Sequence, residues 1–276
     1  MKEKFYEFLG KEKGVTSVIV AGIHGNERAG IEALESMMPL NIEKGRVLVG
    51  CGNILAIERN VRCVGANLNR MFKSDKLLSD KEKESYEYGR AQFLKKYFNQ
   101  ADALLDVHCS FVEKSRPFIV CEENAFEAIK YLPFDLAVTG LDSIQAGGTD
   151  YYMNRRGKIG IGVECGYLGD DDAIKVASDY IVSFLASRGH IKAEMKIIPK
   201  TVLNAFYLHK AKTNDFKLAK AFEDFEKVIA GQLIGFDGGE EVKAARDGAI
   251  LFARNMDKPG EEVFVLGEYK KGLASD

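Results

Sequence analysis

The stretch VIVAGIHGNE, residues 18 to 27, is mostly apolar as far as Ile23 and then sets His24 and Glu27 three residues apart. A second apolar run is interrupted at His108 in LLDVHCS, and a third, IGIGV, stops at Glu164. Imidazole nitrogen and carboxylate oxygen are donors that zinc accepts, and a catalytic zinc takes three protein ligands and keeps a fourth position for water. His24, Glu27 and His108 supply a His₂Glu set of that kind. The HxxE pair alone is weak, because a helix-initial glutamate suits the helix dipole and a turn histidine suits solvent. His108 alone would read equally well as a core imidazole bonded to a backbone carbonyl. Two of only four histidines stand at strand ends in apolar settings, however, whereas His190 and His209 have no such context and read as surface or packing residues. Asp106 either orients a neighbouring group or faces solvent at a strand end.

Glu164 follows a run with little else polar in it. A carboxylate buried there without a partner is costly, and such a group either shifts its pKa or works beside a cation. Near a zinc-bound water it would act as general base and then as proton donor. The alternative is a salt bridge to Arg155 or Arg156. Between these runs lies NVRCVGANLNRMF, residues 60 to 72, carrying Arg62, Asn67, Asn69 and Arg70. Two arginines with intervening amides can hold a carboxylate bidentately and polarise a carbonyl. A solvated basic loop is the other reading, opposed by Val61, Val64, Leu68, Met71 and Phe72, which should tie the segment to the core.

These groups need a sheet to hold them. Short β-branched runs at 15 to 22, 45 to 52, 101 to 109, 117 to 121 and 159 to 165 alternate with helical patterns, the signature of a parallel or mixed sheet covered by helices. Open sheets of this α/β class bind ligands at the carboxyl ends of their strands, where His24, His108 and Glu164 fall. Helices are expected from an Asn26 cap to about Met38, from a Ser79 cap to residue 98, and from Asp170 to Ala186. After about residue 195 the pattern changes to short strands and Gly-rich turns, with a helix-like stretch FKLAKAFEDFEKVIAG between them. Two domains follow, 1–194 with the catalytic groups and a smaller, mainly β domain at 195–276.

Composition excludes several classes. With 276 residues and 46% hydrophobic content the chain can bury a sizeable core. Its 39 basic and 41 acidic residues leave a formal charge of −2, so it carries no electrostatic footprint for nucleic acid or an anionic membrane. The start, MKEKFYEFLGKEKG, lacks the apolar stretch of a signal peptide, and no segment approaches the ~20 apolar residues of a membrane span. Five cysteines without a CxxC spacing suit a reducing compartment and read mostly as buried apolar residues. A cytoplasmic protein is expected.

The motifs GIHGNE (22 to 27), NLNRMF (67 to 72), DVHCS (106 to 110) and GVECG (162 to 166), in that order, resemble the succinylglutamate desuccinylase and aspartoacylase family of zinc hydrolases, which shares its fold and metal site with the zinc carboxypeptidases. The resemblance spans the chain to about residue 190. It implies that His24, Glu27 and His108 hold one Zn2+ per chain and that Glu164 activates water. It also implies that Arg62, seven residues before Asn69, polarises the scissile carbonyl and that Asn69 and Arg70 grip the substrate's carboxylate. VFVLGEYKK (263 to 271) is similar to the family segment with a substrate-contacting tyrosine, which makes Tyr269 a candidate, and the small C-terminal domain should cover the site. Cys109 and Asn67 depart from the family's usual residues, and Tyr151, Tyr152, Arg155 and Arg156 do not align cleanly with its further substrate contacts. The expected activity is zinc-dependent hydrolysis of the amide of an N-acyl amino acid or similar carboxylated small molecule. A carboxypeptidase acting on peptides or peptidoglycan stems and a non-catalytic zinc- or ligand-binding homologue are the alternatives. Oligomeric state stays open, a homo-oligomer included.

Overall fold

A computed structural model describes residues 5–270; the first four residues of the start read above and the last lysine of VFVLGEYKK lie outside them. The first half of the chain forms β1 (Tyr6–Leu9), β2 (Glu12–Ala21), α1 (Ala29–Met37), β3 (Lys44–Cys51), α2 (Ile54–Arg59), α3 (Asp80–Lys83), α4 (Tyr86–Phe98), β4 (Ala103–Ser110) and β5 (Phe118–Cys121). Next come α5 (Phe126–Ile129), β6 (Leu136–Thr139), α6 (Leu141–Ile144), α7 (Thr149–Asn154), β7 (Ile159–Tyr167) and α8 (Ala173–Ser187). The remainder is β8 (Thr201–Lys210), β9 (Phe216–Leu218), β10 (Glu226–Val228), β11 (Leu233–Asp237), β12 (Glu240–Lys243), β13 (Gly248–Leu251) and β14 (Glu262–Tyr269).

Among the described residues, eleven of these strands make one mixed sheet in the order β1-β3-β2-β4-β7-β5-β6-β8-β14-β13-β10, and β12-β11-β9 make a small second sheet. β3, β2, β4 and β7 run parallel, which fits their near-continuous Val, Ile and Leu content, since a strand covered on both faces has no polar side. In β2 the pleat sends Ile19 and Ala21 to the cluster under α1 and α8, and Val18 and Val20 to the cluster under α4. Fully burying a Leu, Ile or Phe side chain such as Leu105, Ile161 or Phe184 is worth about 1.5–3 kcal/mol, so these strands are a well-fixed base for whatever sits at their ends.

The α/β expectation holds, with four local corrections. α1 starts at Ala29 behind Arg28, and the Asn26 side chain makes no cap. The segment 79 to 98 is two helices, because the Ser79–Glu82 capping box opens α3 while Ser85 caps α4 separately. The helix-like stretch 216 to 231 instead contributes β9 and β10: Phe225 has φ +68°, incompatible with a helix, and Glu226 to Val228 pair with β13. Strand β6 was not expected; its parallel pairing with β8 carries the sheet past residue 195 without a break. No helix among the described residues is long and apolar enough to cross a membrane.

Candidate active site

β2, β4 and β7 are neighbours and parallel, so their carboxyl ends lie side by side. β2 ends at Ala21, Gly22 turns the chain at φ +68°, and His24 to Glu27 form the turn that leads into α1. Glu27 therefore precedes the helix and is not in its first turn. Gly25 is required here, because a Cβ would meet the Ala56 carbonyl carbon at 2.1 Å; its N–H donates to the Arg62 carbonyl at 3.2 Å, tying the turn to the 60s loop. His108 and Glu164 stand opposite one another in the β4–β7 register.

His24 Nδ1 lies 2.7 Å from Glu27 Oε1, and His108 Nδ1 lies 2.8 Å from Glu27 Oε2. One ligand atom from each of the three residues falls within 4.8 Å of the others, and all three residues are buried. The fit to zinc can be judged on these atoms. His24 Nδ1 makes no hydrogen bond despite its closeness to the carboxylate, an arrangement that suits two ligands facing one ion, and the N₂O donor set is one that zinc uses. The far nitrogens are held as well. His24 Nε2 meets Asn67 Oδ1 at 3.1 Å and His108 Nε2 meets Asp106 Oδ2 at 2.9 Å, so each Nε2 faces an acceptor and each Nδ1 faces the Glu27 carboxylate. Thr149 Oγ1 donates to the same Asp106 oxygen at 2.6 Å, so Asp106 does orient its neighbour.

Burial and the nearby Arg62 guanidinium lower the His24 pKa to about 4. Burial opposes the charge on Glu27 and on His108, but the two imidazoles hold the Glu27 carboxyl well below the usual range, while Asp106 and Glu27 hold His108 well above it. Asp106→Ala should weaken zinc binding by roughly 10- to 100-fold, as measured by competition with a chelator; an unchanged affinity would show that His108 needs no external orienting group.

Glu164 Oε2 is buried with no hydrogen-bond partner, and burial pushes its carboxyl well above the ordinary range, with His108 opposing the shift. No ion pair joins it to Arg155 or Arg156; Arg156 stacks over the Tyr152 ring, its Cζ 3.5 Å from the centroid. That alternative falls away.

The 60s loop is anchored at three of the five apolar residues expected to tie it to the core, while Val64 is half-buried and Val61 is 39% exposed. Leu68, Met71 and Phe72 are buried, and Glu87 of α4, fully buried, accepts N–H bonds from Val64, Gly65 and Ala66 and from the Asn53 amide. Burial raises the Glu87 pKa, but these four donors more than offset it and the group is held low. The stability it confers is thus full above the ordinary carboxylate pKa and lost as pH falls through its depressed value. Glu87→Gln should cost about 1.5–3 kcal/mol in denaturant unfolding at neutral pH. The gap between variant and parent should close in acid; a gap that widens there would contradict the assignment. Sequence reasoning passed over Glu87, since nothing in an α4 glutamate announces that its partners are backbone groups.

Arg62 Nη1 donates to Glu27 Oε1 at 2.9 Å, and the loop brings it to the cluster. Asn69 and Arg70 also line the pocket. Asn69 Oδ1 accepts from Thr149 N, while the Arg70 guanidinium is already engaged by a carboxylate of the chain itself, Glu262 of β14. Tyr269 is not brought to the site: it is 49% exposed near the end of β14 and absent from the pocket lining. Tyr151, Tyr152, Arg155 and Arg156 are likewise absent from that lining.

The pocket is open to solvent and has the cluster and Glu164 on one side and Phe252, Arg254 and Glu262 to Val265 on another. The C-terminal strands therefore build part of its wall. Asp142, Gln145, Asp150, Arg254 and Glu262 are polar lining residues that no sequence pattern singled out. Arg254 and Glu262 become visible only once the sheet order sets β14 between β8 and β13, whereas Asp142 and Asp150 sit on α6 and α7 and Gln145 just after α6.

Residues 13–188 match the family model described as the succinylglutamate desuccinylase/aspartoacylase catalytic domain. The chain is 25% identical to a succinylglutamate desuccinylase of Pseudoalteromonas atlantica, over 85% of this chain and 76% of that protein. A shorter match, 30% identical over 40% of this chain and 38% of the other, is to an N-acyl-aromatic-L-amino acid amidohydrolase (carboxylate-forming) of Xenopus tropicalis. In fold it is similar to the crystal structure of a succinylglutamate desuccinylase from Vibrio cholerae, with TM-score 0.76, 21% identity, and coverage of 96% of this chain and 85% of the other.

Proposed function

The chain belongs to the succinylglutamate desuccinylase/aspartoacylase family, and from that premise we propose that it is a zinc-dependent hydrolase that cleaves the amide of an N-acyl amino acid. The observation that carries this reading is the unpartnered buried oxygen of Glu164 on the strand beside His108, at the edge of the His24, Glu27 and His108 cluster. A binding protein has no use for a buried, unsatisfied carboxylate there; a hydrolase needs a base.

His24, Glu27 and His108 would hold the metal, which when bound supplies a Lewis acid for the scissile carbonyl and lowers the pKa of attacking water. Glu164 takes a proton from that water and delivers it to the leaving nitrogen. Arg62, beside Glu27, donates to the carbonyl oxygen as negative charge grows on it. The C–N bond breaks, giving the free amino acid and the acyl group as a carboxylic acid. Asn67 and Asp106, each facing an Nε2, would favour the tautomer in which Nδ1 serves the metal. Metal analysis of the purified chain, followed by a screen of N-acyl amino acids, tests the reading. Absence of bound zinc after reconstitution, or hydrolysis of peptides alone, would replace it.

A further inference from the structure

Three arginines face the pocket, and they differ in what they already hold. Arg62 donates to Glu27. Arg70 has every nitrogen occupied: Nε and Nη2 each reach a Glu262 carboxylate oxygen at 2.7 Å, and Nη1 reaches the Asn69 carbonyl at 2.5 Å. Gln145 Nε2 fixes the same Glu262 carboxylate at 2.7 Å. Arg254, on the segment between β13 and β14, uses only Nε, which donates to the Glu262 backbone carbonyl at 2.9 Å. Its two terminal nitrogens make no hydrogen bond or ion pair among the described residues. Its Cζ lies 5.1 Å from the centroid of Phe111, a ring that also has the Arg62 Cζ at 5.7 Å. A guanidinium with both ends free, steered by an aromatic face toward the metal-site arginine, is a carboxylate receptor in waiting.

The other charges near it set what it would take. Glu262, Asp142 and Asp150 line the same pocket; burial raises the Asp142 carboxyl to about 7 and lifts that of Asp150, and Arg70 holds Glu262, so a second ligand carboxylate would meet acidic oxygens there and no free guanidinium. Much of the remaining lining is apolar, including Val120, Leu141, Leu208 and Phe252. The geometry points to Arg254 as the residue that binds the single carboxylate of an N-acyl amino acid with an uncharged side chain, Glu262 keeping Arg70 out of that role. This assignment deepens the deacylase reading and rests on it for the identity of the ligand.

Binding is measured on the zinc-loaded Glu164→Gln chain, so that no turnover is needed, by calorimetry with N-acetylphenylalanine and N-acetylaspartate. N-acetylphenylalanine should bind the more tightly. Arg254→Gln should weaken it by roughly 10- to 100-fold, and Arg254→Lys, which keeps the charge and loses the fork, should recover only part. Glu262→Gln should release Arg70 and improve N-acetylaspartate by about 10-fold. Zinc content and circular dichroism of each variant confirm that it is folded. With Glu164 intact, Arg254→Lys should raise KM and leave kcat nearly unchanged, as loss of uniform binding does. Unchanged N-acetylphenylalanine binding in both Arg254 variants, or tighter binding of N-acetylaspartate by the parent chain, overturns the assignment. Arg254-dependent binding without turnover in the intact chain would sink the deacylase reading and leave this one standing.

Discussion

Glu164→Gln should lower kcat/KM on an N-acyl amino acid by about 10²–10⁴-fold while zinc stays at one per chain. The substitution preserves shape and removes the role proposed for this side chain, that of accepting and returning a proton. Its Oε2 has no hydrogen bond to lose, so the variant should be at least as stable as the parent, in contrast to the usual cost of altering a buried carboxylate. The pH profile offers a second readout. Burial raises the Glu164 pKa above the ordinary range, and only the deprotonated form accepts a proton, so activity should fall as pH drops through that raised value. The residual activity of the variant should lack this limb. Full activity, or an unchanged acid limb, would remove Glu164 from the mechanism.

Glu27→Ala should do more, abolishing zinc retention and activity together. One carboxylate there sits 2.7 to 2.9 Å from His24 Nδ1, His108 Nδ1 and Arg62 Nη1, so its removal would delete a proposed metal ligand and leave the half-buried Arg62 guanidinium without that partner. Loss of the several kcal/mol of charge stabilisation that a metal gives corresponds to about 10³-fold in rate or more. Chelator treatment of the parent should mimic the activity loss. Added zinc should restore the treated parent and fail to restore the variant. A variant that keeps zinc at parental affinity would show that Glu27 is not a ligand.

How much of this is legible in the sequence differs residue by residue. His24, His108 and Glu164 are conspicuous because each interrupts an apolar run, and an apolar run is the strongest local signal of a buried strand. Their convergence needs only adjacent parallel strands, which the alternation of strands and helices already implies. Arg62 and Asn67 are visible as polar groups in a loop with apolar anchors, although the Glu87 carboxylate that pins the loop is not, because a side chain bonded to backbone N–H groups leaves no pattern. Arg254 and Glu262 are illegible for another reason. Their meaning depends on β14 lying beside β8, a pairing between segments some fifty residues apart. The false helix at 216 to 231 has the same origin: its hydrophobic spacing is tolerable for a helix, and only tertiary pairing and the positive φ of Phe225 decide against it.

The direct opposition of His108 and Glu164 across β4 and β7 has a consequence for diversification. Neighbouring strands are spaced about 4.8 Å apart by backbone hydrogen bonds alone, whatever side chains they carry. The groups proposed to react are thus indexed to a ladder that point substitutions elsewhere cannot re-register, while the residues proposed to choose among ligands ride on a later hairpin joined to the far side of the same sheet. Under the proposed roles, a lineage could retune its diet by editing the segment from Phe252 to Val265 and inherit the bond-breaking apparatus unaltered.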